Sequence, residues 1–388
     1  MVAQILLFVF LFLVFHTYLF YPVIVRILAI KKKQNTNIFS YEQLPEVTII
    51  MAAHNEEHVI AKKIQSIADS DYPVEKIIIL IGTDNCSDNT EAIIQKFIET
   101  NSSISLISFK ERTGKVEIMN QLVGKSKSEI LVLTDANVFF NKDTLHQLIK
   151  HFANEEIGLV GANIINTNIK PSGISFQEKT YLMSENKIKY YEGIAWGAMI
   201  GAFGGCYAMR KELYKPVPKN YIVDDFYLTM SVLASKKNAI NELQATCEED
   251  VSNILKEEFR RKVRISIGNF QNLKSFIFLL KKPFSRLSLA FFSHKILRWL
   301  TPFFLIAIYL ISLYLSFYFS IYKTFFVVQS ILMFIPILDA LLRKINLHVI
   351  LLRFVTHFYS MNLALLVGFF KYISGVNINV WKPTKRYQ

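Results

Sequence analysis

The chain is poor in cysteine, poor in acid relative to base, and lacks the glycine signature of a dinucleotide fold. Cys86, Cys206 and Cys247 are the three cysteines among 388 residues. Scattered and odd in number, they offer no CxxC spacing, no disulfide framework and no zinc site, and they suit a reducing compartment. Asp and Glu total 31 against 44 Lys and Arg, which leaves a formal net charge of +13. That excess raises the question of nucleic acid. The basic residues, however, build no reading helix, no ribonucleoprotein-type aromatic strand and no zinc finger, so no nucleic-acid partner is expected. The first apolar strand is followed by Ala52-Ala53-His54-Asn55-Glu56-Glu57, not by GxGxxG, which argues against a dehydrogenase.

What the chain has in excess is apolar surface. Hydrophobic residues make up 52%, aromatics 14%, and there are 32 Phe, more than an average soluble enzyme carries. They gather at the two ends. Residues 2–24 are long enough to cross a hydrocarbon core of about 30 Å, and they lack the basic start and small-residue cut site of a cleaved signal peptide. Positive charge follows instead, at Arg26 and Lys31 to Lys33, so the charge bias places the next domain in the cytosol, on a cell (inner) membrane. Three more candidate spans are residues 299–319, 324–342 and 348–370. The second carries Pro336 and Asp339 and the third Arg353 and His357; such groups face protein or the interface, not lipid. Residues 271–298 interleave Phe and Leu with Lys and Arg and are expected to lie in the interface as amphipathic helix. The expected division is an N-terminal span over 1–30, a catalytic domain over 45–270, the interfacial segment, two or three spans over 299–372, and a basic tail over 373–388. With three C-terminal spans the tail (Lys382, Lys385, Arg386) falls outside, against the charge rule, so one candidate is expected to be re-entrant or interfacial.

Between these ends strand and helix alternate. Residues 47–51 form a short apolar run fit for a buried strand, and Ile60, Ile64 and Ile67 follow at helical spacing. The segments 76–82, 104–108 and 130–134 continue as strands, with helices from Asp88 and over 115–123. This repetition predicts an α/β domain with a mainly parallel sheet covered on both faces. Ligands then bind beyond the carboxyl ends of the strands. Three strand ends are polar there: 52–57, Thr83-Asp84-Asn85-Cys86-Ser87-Asp88-Asn89-Thr90, and Asp135-Ala136-Asn137. Further along stand Arg112-Thr113-Gly114-Lys115, a glycine-bearing stretch over 201–210, Val223-Asp224-Asp225-Phe226, and Arg261-Lys262-Val263-Arg264-Ile265.

In order and spacing these motifs resemble the inverting family 2 glycosyltransferases of the GT-A fold, in particular the membrane-bound branch similar to chitin, hyaluronan and poly-N-acetylglucosamine synthases. The resemblance covers residues 45–269. It implies a nucleotide-sugar pocket made by Ala53, His54, Asn55, Glu56, Asp84, Lys115, Asp135 and Arg264. A carboxylate at Asp84 suits the N–H of a uracil ring, while Asp88 reads equally well as a helix cap. Lys115 at a helix start suits a diphosphate. Asp135 and Asn137 stand where the family has its DxD motif and imply a divalent cation, Mg²⁺ or Mn²⁺, held by oxygen ligands. On the acceptor side the resemblance implies Gly204, Gly205, Trp196 and Asp224; the glycines also read as a bulged turn and Trp196 as core. Asp225 takes the family's general-base position. Arg264 keeps the arginine of the QxxRW motif of processive relatives, but Arg261 and Ile265 replace its Gln and Trp.

The expected activity is inverting transfer of a hexosyl or N-acetylhexosaminyl unit from a UDP-sugar to a saccharide or lipid-linked acceptor at the membrane lipid surface, in envelope or extracellular polysaccharide synthesis. The alternatives are single-sugar transfer to a polyprenyl or other lipid carrier, and a non-enzymatic transport or scaffold subunit.

Overall fold

The computed structural model describes residues 1–170 and 173–375, so the basic tail expected at Lys382, Lys385 and Arg386 lies outside the described residues. Ten main helices follow one another as α1 (Val2–Ile30), α2 (Ile60–Ala68), α3 (Thr90–Thr100), α4 (Lys115–Lys125), α5 (Thr144–Ile149), α6 (Ser175–Trp196), α7 (Asp224–Ala234), α8 (Leu255–Phe276), α9 (Arg286–Ser316) and α10 (Ser320–Lys344), and α11 (Ile350–Ile373) closes the described chain. The chain divides into two compact units.

The first unit holds residues 25–169 and 179–251 and contains one eight-stranded sheet. Its strands are β1 (Val47–Ala53), β2 (Ile77–Asp84), β3 (Ile104–Phe109), β4 (Ile130–Thr134), β5 (Val138–Phe140), β6 (Ile157–Thr167), β7 (Cys206–Arg210) and β8 (Asn238–Asp250). The spatial order is β3-β2-β1-β4-β7-β6-β8-β5. From β3 to β4 every pairing is parallel, as the alternating pattern predicts. The expectation of a mainly parallel sheet holds, and beyond β4 antiparallel pairings join it. There β7 runs antiparallel to β4 and β6, β8 is parallel to β6, and β5 is antiparallel to β8. The sheet is therefore mixed, with its antiparallel pairings confined to those of β7 and β5. Ile49, Met51, Ile79, Ile81 and Val132 form its core with Ile60, Ile64 and Ile67 of α2. Burying both faces explains why these strands read as continuous apolar runs.

The second unit gathers, among the described residues, 1–24, 170, 173–178 and 252–375. Arg264 belongs to this helical unit, on α8. Four helices, α1, α9, α10 and α11, are long and apolar enough to cross a membrane. The expected interfacial helix over 271–298 is not a single element. Its first residues end α8, a tight turn fills Ile277–Lys281, and from Arg286 the chain runs straight into α9. Pro283, which breaks the helical run, sits at that division.

Charges inside the apolar helices are paired. Asp339 on α10 meets Arg353 on α11 at 3.2 Å, and both side chains are almost wholly buried. His357 on α11 bonds Glu178 in the first turn of α6 at 2.5 Å, and Lys262 on α8 lies 3.2 Å from the same carboxylate. Burial would raise Glu178, but Lys262, His357 and Arg261 outweigh it and hold its pKa well below the usual carboxylate range. Arg353 and His357 thus face protein, as their cost in lipid demands.

Candidate active site

Two of the polar strand ends clasp each other. After β1, Asn55 turns into the left-handed region (φ 54°), and after β2 Asn85 does the same (φ 52°), a conformation that asparagine tolerates better than most residues. The Asn55 amide accepts the Ser87 N–H at 2.9 Å and donates to Ser87 Oγ at 3.1 Å. Glu56 N–H donates to Thr90 Oγ1 at 2.8 Å and Glu57 N–H to Asp88 at 3.1 Å. Asp88 also accepts the Thr90 N–H at 3.0 Å in the first turn of α3. Burial would raise Asp88, but the bonds from Thr90 and Glu57 hold its pKa below the ordinary value. Asp88 thus works as a helix cap and loop brace. Ala53, the last residue of β1, is buried, and its carbonyl accepts the Cys86 thiol at 3.8 Å.

Asp84 is 3% exposed and its carboxylate is already engaged. It accepts N–H bonds from Thr113 at 2.6 Å and Gly114 at 3.3 Å, and Arg112 lies 3.2 Å away. His54 is pinned between the Asp84 carbonyl, at 2.7 Å, and the Arg112 guanidinium. These residues fix the loop that begins α4. Gly114 stands there at φ +88°, where a side chain would strain the backbone.

Lys115, the first residue of α4, carries that order to the next group. Its ammonium donates to Asp135 Oδ1 at 2.7 Å and lies 3.8 Å from Asp224 Oδ2. Asp224 and Asp225 open α7, where the helix dipole favours negative charge. Burial would depress Lys115, but Asp135, Asp224 and Asp225 outweigh it and raise its pKa. Asp225 is half-buried, and its Oδ1 accepts the N–H of Phe226 at 2.8 Å. Burial and the neighbouring Asp224 push the Asp225 carboxyl up to about 6, against the pull of Lys115. A carboxyl poised there is suited to take a proton near neutral pH.

The glycine stretch closes the other side. A methyl at Gly204 would sit 2.9 Å from Asp225 Oδ2, so only a bare backbone leaves the carboxylate its place. The Gly205 carbonyl accepts the Asp135 N–H at 3.0 Å and Thr134 Oγ1 at 2.9 Å, which ties this stretch to the end of β4. Trp196 ends α6 half-buried, just before Gly197 in the left-handed region (φ +66°).

Among the described residues no three His, Cys, Asp or Glu side chains converge as a metal cage. Asp135 and Asn137 offer a carboxylate and an amide carbonyl, and the Asn137 Nδ2 is buried without a hydrogen-bond partner. A carboxylate and an amide oxygen two residues apart on one strand end fit a hard cation that draws its remaining oxygens from a diphosphate.

Three residues here escaped the sequence reading. Lys63 on α2 is fully buried, donates to Thr134 Oγ1 at 2.9 Å and to the Val138 carbonyl, and so braces the Asp135–Asn137 tip from both flanks. Burial pushes its ammonium down to about 8. Its signal was positional, since Lys63 falls on the stripe of Ile60, Ile64 and Ile67. Lys189 on α6 is buried 3.2 Å from the Phe203 ring centroid and adds positive potential at Asp225. Tyr207 on β7 is buried with its hydroxyl unpartnered, and burial with Asp224 and Asp225 nearby pushes its pKa well up. Nothing in the local pattern of β7 announced that hydroxyl.

Residues 48–217 match the model of the family described as glycosyl transferase family 2. A beta-monoglucosyldiacylglycerol synthase of Trichormus variabilis is 30% identical over 129 residues, 33% of this chain and 28% of that protein. A poly-beta-1,6-N-acetyl-D-glucosamine synthase of Staphylococcus aureus is 26% identical over 136 residues, 35% of this chain and 32% of the relative. The chain thus spans about a third or less of the curated relatives it matches. Over its whole length it is similar to the solved mannosyltransferase PcManGT from Pyrobaculum calidifontis, in complex with GDP-Man and Mn²⁺. The TM-score is 0.70 at 19% identity, covering 95% of this chain and 99% of that one.

Proposed function

Since the chain carries a glycosyl transferase family 2 domain of GT-A fold flanked by four helices able to span a membrane, we propose that it is an inverting glycosyltransferase using a nucleoside-diphosphate sugar. The observation that carries this reading is the convergence of Asp135, Asp224 and Asp225 on Lys115 at the strand ends, with bare backbone at Gly204 against Asp225. Asp225 is the general base. It takes the proton of an acceptor hydroxyl as that oxygen bonds the anomeric carbon and the bond to the diphosphate breaks. Asp224 orients the acceptor side, along which Gly204 and Gly205 leave room for a sugar ring and Trp196 offers a stacking face. Lys115 exchanges its carboxylates for phosphate oxygens. Asp135 and Asn137 hold the divalent cation, Mg²⁺ or Mn²⁺, which supplies charge neutralisation to the leaving group. Ala53, His54, Asn55, Glu56 and Asp84 shape the nucleotide site through the loops they fix.

The donor we favour is a UDP-hexose or UDP-N-acetylhexosamine. The acceptor is a saccharide or a lipid-linked one, used from the cytosolic face of a cell membrane. The two curated relatives span both acceptor classes by name, one a diacylglycerol glycolipid and the other a polysaccharide. Arg261 and Ile265, in place of the Gln and Trp of the processive motif, favour single additions. Purified protein incubated with a panel of nucleotide sugars, with and without Mg²⁺ or Mn²⁺, tests the donor and the metal together. A product ladder would signify repeated addition and a single shifted band one transfer. Loss of transfer in Asp225→Asn is expected; undiminished transfer by both Asp225→Asn and Asp135→Ala would refute the site.

A further inference from the structure

The helical unit contains a cavity of about 580 Å³ lined by Gly173 and Ile174, by Asn253 to Lys256 and Phe259 at the start of α8, by Arg343 and by Ser360. Every charged residue on its wall is a cation, Lys256 or Arg343. The nearest acid is already committed. Asp339 meets Arg353 at 3.2 Å and Arg343 at 3.6 Å, so one carboxylate stands between two guanidiniums. Arg353 spends its other donors on the Gly173 carbonyl, at 2.8 Å, and His348, at 3.4 Å. One carboxylate shared by two guanidiniums leaves one positive charge in excess. The Arg343 Nε is buried and makes no hydrogen bond. Glu257, beside Lys256, is bound to Arg260 at 3.0 Å and turns no charge on Lys256.

Ile174, Ile254, Leu255 and Phe259 make most of the remaining wall apolar, with Asn253 and Ser360 as its polar side chains. Arg343 lies in the last turn of α10, one of the candidate spans. Ser360 stands seven residues beyond Arg353 along α11, about 10 Å farther at 1.5 Å per residue. A cavity whose charged wall residues are both cations, Lys256 and Arg343, and whose other side chains are mostly apolar matches an anion that carries a chain. We propose that this cavity seats the phosphate of an anionic membrane lipid, with Arg343 and Lys256 on the phosphate and the lipid's first methylenes against Phe259, Ile254 and Ile174. A guanidinium suits phosphate oxygens through paired donors. The proposal is independent of sugar transfer.

The test is binding, measured on the full-length protein, delipidated in detergent and titrated with dioctanoyl phosphatidic acid. Two comparison probes separate head from chain: dioctanoylglycerol, which lacks the phosphate, and inorganic phosphate, which lacks the chain. Saturable binding of the phosphatidic acid is expected, at least tenfold tighter than either. Lys256→Gln and Arg343→Gln should each weaken it about tenfold, the equivalent of about 1.4 kcal/mol. Ser360→Phe fills the cavity without altering charge and should block binding even if Arg343→Gln disturbs the Asp339 pair. Lys344→Gln, one residue off the wall, should bind as wild type. Equal affinity for inorganic phosphate, wild-type binding by both Lys256→Gln and Ser360→Phe, or an equal loss in Lys344→Gln would each overturn the proposal.

Discussion

The chain buries charge in two places, and the two are built oppositely. In the helical unit, Asp339 sits between Arg343 and Arg353, and Glu178 between His357 and Lys262. Each carboxylate there has at least as much positive charge as it needs. In the sheet-based unit, Asp135, Asp224 and Asp225 draw on Lys115 together, with Tyr207 and Asn137 keeping unpartnered polar atoms. A balanced pair inside an apolar unit holds helices in register. A cluster short of positive charge is an unfinished one, and its missing partners are ligands.

The sharpest way to break this contrast is to remove one carboxylate from each. Asp225→Asn should cut kcat by about 10²- to 10⁴-fold while leaving the melting temperature nearly unchanged, as read by steady-state transfer and by thermal unfolding. Asp339→Ala leaves the Arg353 guanidinium buried without its carboxylate and should cost about 3–5 kcal/mol of stability, visible as a large fall in melting temperature. If the losses appear the other way round, the distinction between tether and site collapses.

A smaller effect refines the picture within the cluster. With Asp225 pushed up to about 6, kcat/KM should fall tenfold per pH unit below that point and level off above it, because only the ionised carboxylate accepts a proton. Asp224→Asn removes the like charge and should move this limb to lower pH; a limb that stays put would show that burial alone sets it.

The smallest effect concerns Lys63. Its ammonium is held down to about 8 from 10.5 in the folded chain, so between those values the unfolded chain binds the proton more readily. Stability therefore rises with pH across that window and is lost again as pH falls through 8. Going from pH 8 to pH 9.5 should gain about 1–2 kcal/mol from this group, and Lys63→Met should lack that share in denaturant titrations of the same protein.

The parallel half of the sheet was legible because buried strands are written as short apolar runs, and 130–134 matches β4 residue for residue. The antiparallel half was not. β5 is three residues long, and β6 pairs with β8 through register shifts that break any simple period. The site divides in the same way. Asp135, Asp224, Asp225 and Lys115 carry their chemistry in their spelling, and the fold brings them together. Lys189 and Tyr207 are set by burial against distant elements, which spacing along the chain cannot encode. Asp84 was legible as a site residue, but its engagement with Arg112, Thr113 and Gly114 depends on a loop closing 29 residues later.

Lys115 has a consequence for the order of events. In the ligand-free cleft its ammonium serves as a counter-ion at Asp135. A diphosphate that draws this ammonium toward itself strips Asp135 of that counter-ion at the same moment. Under the proposed function, sugar nucleotide and divalent ion would then each make the cleft more welcoming to the other, a reciprocal linkage.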